Sequence, residues 1–261
     1  MNPNTFPLAQ LKPQLKPFRL YFYPRLRSTN DHAAHLRRQR KLYAPAIVLT
    51  PHQMSGRGRG GNAWWSGEGS LTATFCVPTD EKVPPHQVPL ITGLAIQTAL
   101  ADTLGDKAPG LKLKWPNDLW HDDLKLAGIL CERIENVDLV GLGLNVNVRT
   151  ADIPFSLRHR VTSLQAIAGQ PIALPAMLVA IARQIERLLL KRDFSGFGSI
   201  VQQINRVHAL NGRRVRVTEP GESVIEGLCE GLHTDGRLLV RTNPDANGLR
   251  RVVAGHVELM S

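Results

Sequence analysis

The sequence predicts an α+β protein with a mostly antiparallel sheet, helices that cover it, and a small C-terminal β-barrel. Three observations lead to this class. Strand-like apolar stretches follow one another closely over residues 111–148. Residues 88–104 and 174–190 instead have the helical apolar period. From residue 210 onward, short strands alternate with the turn signals EPGE, HTDGR and NPDANG, as is typical of a small barrel.

The first elements lie just after a proline-rich start. Four prolines in residues 1–17 predict an irregular lead-in, because proline has no backbone donor for a helix interior or a central strand. FRLYFYP at 18–24 is strand-like, and STN at 28–30 supplies N-cap side chains to a helix that runs to about Leu42. The predicted division of the chain is a lead-in at 1–17, a larger domain at 18–208 and the barrel at 209–261.

The remaining elements complete the sheet and its covering layer. Further strands are predicted at residues 46–50, 70–77, 111–115, 124–134 and 138–148. The glycine-rich run between the first two is a loop, and the HDD tripeptide before the fourth is a hairpin turn. After the two long helices, a shorter one is expected from Phe194 to about Val207.

Composition narrows the class of protein. With 261 residues and 43% hydrophobic content, the chain can bury a sizeable core. It has no window approaching 18 consecutive apolar residues and no secretory signal, which predicts a cytoplasmic protein without membrane association. Three distant cysteines without CxxC spacing favour neither a disulfide framework nor a zinc site.

Positive charge is concentrated near the start. Residues 1–60 contain 11 Lys or Arg and one acid, Asp31, whereas the remainder has 21 of each sign. This asymmetry favours an anionic partner such as nucleic acid, an acidic protein or a phosphate-bearing ligand. The RRQRK string at 37–41 is equally consistent with the solvated face of a helix.

The string GRGRGG at 56–61 has the properties of a phosphate cradle. Glycines let successive N–H groups converge on an anion, and arginines add forked donors and permanent charge. No Lys-Ser or Lys-Thr follows, so this is not a Walker loop, and the flanking strands exclude a dinucleotide fingerprint. The alternative is a flexible RG segment that contacts nucleic acid.

Two further strings bring polar groups to strand ends. In LKWPNDLW at 113–120, a lysine, an amide and a carboxylate surround a rigid Trp-Pro step, although Asn-Asp after proline is also a common turn. Lys114 and Lys125 are expected to point at a common pocket. In GLGLNVN at 141–147, small and amide residues share one face, which suits either a ligand or a closely packed element.

The order of these strings resembles that of the bacterial biotin protein ligases, also called biotin–[acetyl-CoA-carboxylase] ligases. STN, QMSGRGRGGNAW, KWPNDLW, KLAGIL and GLGLNVN follow one another over residues 18–150, and the predicted barrel extends the resemblance to nearly the whole chain. It implies a catalytic domain similar to class II aminoacyl-tRNA synthetases and an SH3-like barrel. It also implies two steps: biotin and ATP give biotinyl-5′-AMP, and a lysine of a biotin carboxyl carrier protein domain then receives the biotin.

The resemblance also implies roles for individual residues. Biotin would contact Ser28, Thr29, Asn30, Gln53, Gly56, Arg57, Arg59, Lys125, Gly128, Gly141 and Gly143. ATP and the adenylate would contact Arg57, Gly58, Arg59, Trp64, Lys114, Asn117 and Asn145. Arg59, Lys114 and Lys125 would be catalytic, with Asp118 as a candidate ligand for Mg²⁺. A homodimer is a further expectation from the family.

The sequence departs from the family pattern at three places. About 17 residues precede the first predicted strand, too few for a helix-turn-helix, which predicts a ligase without specific DNA binding. Asn62 stands where the family often has a basic residue, and 155–165 contains no tryptophan to stack on adenine. The competing hypotheses are a lipoate ligase, which should lack the KWPND string, and an RG-rich nucleic-acid-binding protein, which should bind with a steep dependence on salt.

Overall fold

The computed structural model describes residues 2–221, 223–242 and 248–260. The α-helices are α1 (Leu8–Gln14), α2 (Thr29–Arg38), α3 (Val88–Leu104), α4 (Leu164–Ala168), α5 (Leu174–Ile185) and α6 (Phe197–Arg206). The strands of the larger domain are β1 (Arg19–Phe22), β2 (Ala46–Thr50), β3 (Gly56–Arg57), β4 (Ala63–Trp64), β5 (Ser70–Pro78), β6 (Leu111–Lys114), β7 (Asp118–His121), β8 (Leu124–Ile134) and β9 (Val137–Asn145). Those of the C-terminal domain are β10 (Arg214–Thr218), β11 (Val224–Leu232), β12 (Leu238–Arg241), β13 (Leu249–Val252) and β14 (His256–Leu259).

A seven-stranded sheet forms the centre of the larger domain, in the order β1-β2-β5-β9-β8-β7-β6. Only the β1–β2 pair is parallel, so the prediction of a mostly antiparallel sheet is confirmed. The central strands β5 and β9 are buried along nearly their full length, because helices cover both faces. The C-terminal strands form a separate five-stranded antiparallel sheet. The fold is therefore mixed, with helices on the main sheet and a C-terminal β domain.

The two faces of the main sheet differ in a way that makes room for a site. On the face covered by α3 and α5, successive inward positions remain large and apolar, as with Phe75 and Leu142. On the α2 face the apolar cluster is smaller, and toward one end the inward positions become threonine and glycine, as with Thr74 and Gly141. Because small side chains leave space above the sheet, a cleft can form beside the N-terminus of α2.

Two predictions about the N-terminal segment need correction. The structure contradicts an irregular lead-in, since α1 forms there despite Pro13, and Phe6, Leu11 and Leu15 are buried in the main core. Apolar burial thus outweighs the local effect of proline. Helix α2 also ends at Arg38 rather than near Leu42, because Arg40 has a positive φ of 57° and the chain turns away there.

One strand was missed because its neighbours looked like a single hairpin. The DLWH segment is strand β7, which lies between β6 and β8 and pairs with both. The HDD turn is real but joins β7 to β8; Asp122 and Asp123 have positive φ values of 48° and 64°, as a tight hairpin requires. The Trp115–Asn117 step is therefore the turn from β6 to β7. Most of the predicted NPDANG turn lies outside the described residues.

Helix α3 is long and apolar enough in composition to cross a bilayer when the helical turn after it is included, over residues 88–110. Most of that stretch is buried inside the protein, where α3 packs against α5, β6 and β8, and Leu94, Ile96 and Leu100 are buried in the core. Its composition is therefore explained by its position as a central core helix.

The C-terminal domain packs directly on the larger one. The Trp115 indole N–H donates to the carbonyl of Gly236 at 3.2 Å, and the His86 ring lies 3.0 Å from the carbonyl of Asp235. The junction is built into the main sheet, since Leu113 of β6 exchanges backbone hydrogen bonds of 2.8 Å with residues on either side of His208. The two domains therefore share a continuous core.

His208 at this junction should make stability depend on pH. Its ring is 7% exposed, neither ring nitrogen has a partner among the described residues, and burial lowers the pKa to about 4. The folded state binds this proton less well than the unfolded chain does. The contribution of neutral His208 to the free energy of unfolding is therefore complete above pH 6.5 and is lost progressively as the pH falls toward 4. We expect His208 alone to cost about 2 kcal/mol between pH 7 and pH 5.

Urea unfolding at the two pH values measures this effect. His208→Leu should lose about 2 kcal/mol less free energy of unfolding than the wild type between pH 7 and pH 5, since leucine does not titrate. His159→Gln, which alters an exposed ring, is the control and should behave as the wild type. An equal pH dependence in the His208 variant and the wild type would contradict the assignment.

Candidate active site

A cleft opens on the α2 face of the sheet and brings distant sequence strings together. Its walls come from the start of α2, the β3–β4 hairpin, the β6–β7 turn and the centres of β8 and β9. All of the predicted site residues line it except Gly56 and Asn145. Those that do are Ser28, Thr29, Asn30, Gln53, Arg57, Gly58, Arg59, Trp64, Lys114, Asn117, Asp118, Lys125, Gly128, Gly141 and Gly143.

One end of the cleft is a polar ring formed by Ser28, Thr29 and Gln53. Ser28 caps α2 by accepting a hydrogen bond from the Asp31 N–H at 3.3 Å. Gln53 Oε1 accepts from the Thr29 N–H at 2.9 Å and lies 3.3 Å from its hydroxyl, so its amide orientation is fixed. Gly56 lies behind this ring, where a Cβ would come 2.6 Å from Gln53 Nε2. It supports the cleft without lining it.

Asn30 is held more tightly than its neighbours. Its amide N–H₂ donates to the Leu130 carbonyl at 3.1 Å and to Glu132 at 2.8 Å, while its oxygen accepts from the Thr74 hydroxyl at 2.6 Å. The side chain is 3% exposed, and it rests on Gly141, where a Cβ would come within 2.2 Å of its oxygen. This asparagine therefore joins α2 to strands β5 and β8.

The middle of the cleft is a glycine-floored channel that contains Trp64. A Cβ on Gly143 would come 2.3 Å from the indole, and one on Gly128 would come 3.2 Å from it. The Lys125 ammonium lies 5.6 Å from the ring centroid, within cation–π range. The indole N–H is buried and has no partner among the described residues. The indole therefore covers both glycines, and a slender aliphatic chain could lie on them only if the ring moves aside.

The other end of the cleft has more cations than anions. Arg59, Lys114 and Lys125 line it, with Asp118 as the single acidic side chain among the described lining residues. Asp118 forms a 2.8 Å ion pair with Lys125. Burial lowers the pKa of Lys114 and of Arg59, and nearby Asp118 partly offsets both shifts. This surplus of positive charge suits an anionic group.

Arg57 differs from the other cations because it already has partners. Its guanidinium lies 2.6 Å from Asp31 and 2.9 Å from Glu132. These carboxylates raise its pKa against the opposing effect of partial burial. Asn145 is also outside the expected arrangement, since it is 2% exposed and its amide donates to the Thr162 carbonyl at 3.1 Å.

Sequence reasoning missed the contribution of the C-terminal domain. Gly255, His256 and Val257 line the cleft at its cationic end, and nearby Glu258 acts to raise the pKa of Lys114. No local signal pointed to them, because this contact exists only once the two domains have packed together. The Asp31 and Glu132 carboxylates were likewise ordinary surface acids in the sequence.

Comparison with known proteins agrees with this geometry. The sequence model described as "Biotin/lipoate A/B protein ligase family" matches residues 22–148, and the one described as "Biotin protein ligase C terminal domain" matches residues 211–260. Together they cover the cleft and the domain packed on it. The chain belongs to the biotin protein ligase family.

Two curated relatives and one solved structure illustrate the similarity. The bifunctional ligase/repressor BirA of Bacillus subtilis is 29% identical over 243 residues, which are 89% of this chain and 71% of the relative. The biotin–[acetyl-CoA-carboxylase] ligase of Paracoccus denitrificans is 29% identical, over 82% and 92% of the two chains. The biotin protein ligase of Aquifex aeolicus in complex with biotin and ATP superposes with a TM-score of 0.81 at 27% identity, over 93% and 98% of the chains.

Proposed function

We propose that this protein is a biotin–[acetyl-CoA-carboxylase] ligase, which activates biotin with ATP as biotinyl-5′-AMP and transfers it to a lysine of a biotin carboxyl carrier protein domain. One observation carries the proposal: a single cleft joins a polar ring, a glycine-floored channel and a cluster of cations in that order. Biotin has a urea head, an aliphatic tail and a carboxylate in the same order. Family membership and relatives named as biotin ligases support the same conclusion.

We assign the polar ring to the urea head of biotin. Hydroxyl and amide groups can both donate and accept, as a neutral urea requires, and Ser28, Thr29 and Gln53 provide them. Asn30 has its donors and acceptor already used within the protein, so we assign it to shaping the ring. The tail is then assigned to the surface of Gly128 and Gly143 that the Trp64 indole covers in this structure, so the ring must shift when biotin binds.

The cation cluster addresses the main obstacle of the first step. A carboxylate oxygen of biotin must attack the α-phosphorus of ATP as the bond to pyrophosphate breaks, and both reactants are anionic. Lys125, Lys114 and Arg59 lie where they can reduce this repulsion and stabilise the charge that develops on the phosphoryl oxygens and on pyrophosphate. Holding the two reactants in line contributes further acceleration.

The second step needs no nucleophile from this protein. The neutral amine of the acceptor lysine attacks the acyl carbon of the mixed anhydride, a C–N bond forms, the nitrogen loses a proton, and the C–O bond to AMP breaks. The same cations can stabilise the departing phosphate. What the cleft must supply is protection of the anhydride from water until the acceptor arrives.

The cleft can also accommodate Mg²⁺ at its cationic end. Mg²⁺ at nucleotide sites is usually held by one or two carboxylates together with substrate phosphates, and Asp118 supplies one carboxylate there. No group of three or more His, Cys, Asp or Glu side chains is placed to bind a metal within the described ranges, so the phosphates would have to provide the other ligands. When bound, the ion would neutralise phosphate charge.

The glycine loop is assigned as a lid whose tip carries Arg59. Its tip is closed by Asn62, which donates from its side chain to the Arg59 carbonyl at 2.9 Å. The Arg59 guanidinium extends to Asn117 Oδ1 at 3.4 Å, at the edge of the cationic end. Such a lid would keep water from the adenylate and retain it.

Arg59→Ala should therefore release the adenylate faster and activate biotin more weakly. Loss of one charged contact predicts release about tenfold to hundredfold faster, since a hydrogen bond to a charged group contributes ~1.5–3 kcal/mol. Adenylate retained after rapid gel filtration and pyrophosphate release under saturating biotin measure the two effects. Retention and activation equal to the wild type would show that Arg59 has been misassigned.

Finer features of the fold and its setting belong to the same proposal. The antiparallel sheet with helices supports a class II aminoacyl-tRNA-synthetase-like catalytic domain, and the order β13-β12-β11-β10-β14 supports an SH3-like barrel. A cytoplasmic location, a homodimer, and the lack of specific DNA binding or membrane association stay predictions. Light scattering would test the predicted homodimer. DNA titration over a range of salt concentrations would test the predicted lack of specific DNA binding.

Biotin-dependent pyrophosphate release from ATP tests the function directly. We expect release with biotin and none above background with lipoate; calorimetric titration should show the same preference. Lipoate remains the second candidate because the matched family description includes lipoate ligases. Pyrophosphate release with lipoate alone would overturn the proposal, and salt-steep RNA binding without ATP consumption would favour a nucleic-acid-binding protein.

A further inference from the structure

We propose that Asp31 and Glu132 are positioning residues that anchor the glycine loop through Arg57, and that Arg57 holds the loop rather than binding phosphate. The two arginines of GRGRGG thus have different roles, although the sequence alone does not distinguish them. Its consequence for the adenylate rests on the proposed function, whereas the anchoring itself does not.

The loop is the end of a short hairpin with few attachments at its base. Strands β3 and β4 pair through only two residues each, and the tip between them lies mostly exposed. Arg57 is the last residue of β3, so it lies where the tip of the hairpin begins. A contact at this point decides how freely the whole tip can move.

The Arg57 guanidinium connects two separate elements at this point. Its Nη2 atom lies 2.6 Å from Asp31 on α2, and 2.9 and 3.1 Å from the two Glu132 oxygens on β8. Glu132 is itself held by the Asn30 amide at 2.8 Å. Because Asn30 is buried and bonded to β5 and β8, the anchor ends on a rigid part of the scaffold.

The charges show why Arg57 is an unsuitable phosphate ligand in this arrangement. Two carboxylates face its single positive charge, so the local balance is negative and repels an anion. Arg59, by contrast, has no ion-pair partner among the described residues and lies beside Lys114 and Lys125 at the cationic end. Holding Arg57 on Asp31 and Glu132 where the tip begins thus allows the tip to present Arg59 to the cationic end.

Limited trypsin digestion tests the anchor without relying on enzyme activity. Trypsin can cut after Arg57 and Arg59, and such cuts require the hairpin to open. In ligand-free protein, Asp31→Asn and Glu132→Gln should each raise the rate of these cuts, located by mass spectrometry, by roughly threefold to tenfold. Glu226→Gln breaks an equivalent 2.6 Å pair with Arg216 in the C-terminal domain and should leave the rate unchanged.

Adenylate retention supplies the second readout. In both anchor variants we expect the adenylate to escape about threefold to tenfold faster, while the KM for ATP stays within about twofold of the wild type. Asp31→Asn is needed beside Glu132→Gln because Glu132 also holds Asn30, which Asp31's carboxylate does not contact. Added salt should speed tryptic cutting of the wild type more than of the double variant.

Different results separate the two proposals. Unchanged cutting in both variants would overturn the anchor. A KM for ATP that differs from the wild type by much more than twofold would overturn the claim that Arg57 does not bind phosphate. A wild-type protein that forms no adenylate would overturn the proposed function, while the digestion result would still decide whether Arg57 anchors the loop.

Discussion

Lys125→Met is expected to reduce biotin-dependent pyrophosphate exchange about 10²–10³-fold, the usual cost of losing one donor aimed at developing charge. The Lys125 ammonium lies 2.8 Å from Asp118 and 5.6 Å from the Trp64 ring centroid, at the junction of the glycine channel and the cation cluster. In the proposed reaction the biotin carboxylate meets the α-phosphate at this junction. Binding of biotin alone should weaken much less than the exchange rate falls, because most of the charge develops during the reaction.

A lysine on another strand of the same sheet provides a control for this change. Lys112 lies on β6 two residues before Lys114, so both share one face, yet Lys112 does not line the cleft. Lys112→Met should therefore retain exchange within about twofold, as is usual for a surface substitution. Lys125→Arg keeps the charge but brings a broader group next to Gly128 and Trp64, so we expect partial activity. Full exchange in Lys125→Met would exclude its catalytic role.

The parts of the site that could be predicted are those whose residues are close together in the sequence. Lys114, Asn117 and Asp118 occur within five residues, so their local chemistry is visible before folding. The prediction that Lys114 and Lys125 reach a common pocket followed from placing them on the two strands of one hairpin, and both lysines do line the cleft. The intervening strand β7 was missed, yet both lysines still reach the cleft, because the hairpin turn and the Trp-Pro turn fold the three strands together.

The parts that could not be predicted depend on contacts between distant residues. The sequence does not distinguish Arg57 from Arg59, whereas the structure places Asp31 and Glu132 beside Arg57 and Asn117 beside Arg59. His256 reaches the cleft from another domain through packing. Helix α1 forms against proline propensity because three of the apolar residues in and around it are buried in the core. In each case contacts between residues distant in the sequence determine the arrangement, and a short stretch of sequence does not reveal them.

Gly141→Ala should both destabilise the protein and weaken biotin binding. The new methyl would lie 2.2 Å from the Asn30 oxygen, too close for any packing contact. Asn30 cannot turn aside without losing hydrogen bonds to Thr74, Leu130 and Glu132, each contributing ~1 kcal/mol. We expect the free energy of unfolding to fall by about 1–3 kcal/mol and biotin affinity to fall about tenfold to hundredfold.

Alanine substitutions at two other glycines serve as comparisons for Gly141→Ala. Gly143→Ala also meets a close neighbour, but that neighbour is Trp64 on the short hairpin, which can move, so we expect reduced biotin binding with little loss of stability. Gly198 in α6 has open space around it, and alanine there should raise stability by about 0.4–1 kcal/mol. Urea unfolding and calorimetric titration with biotin measure all three variants. Since Asn30 links α2 to strands β5 and β8, a Gly141→Ala protein with wild-type stability would mean that this linkage can yield, and the rigid anchor proposed for the glycine loop would lose its support.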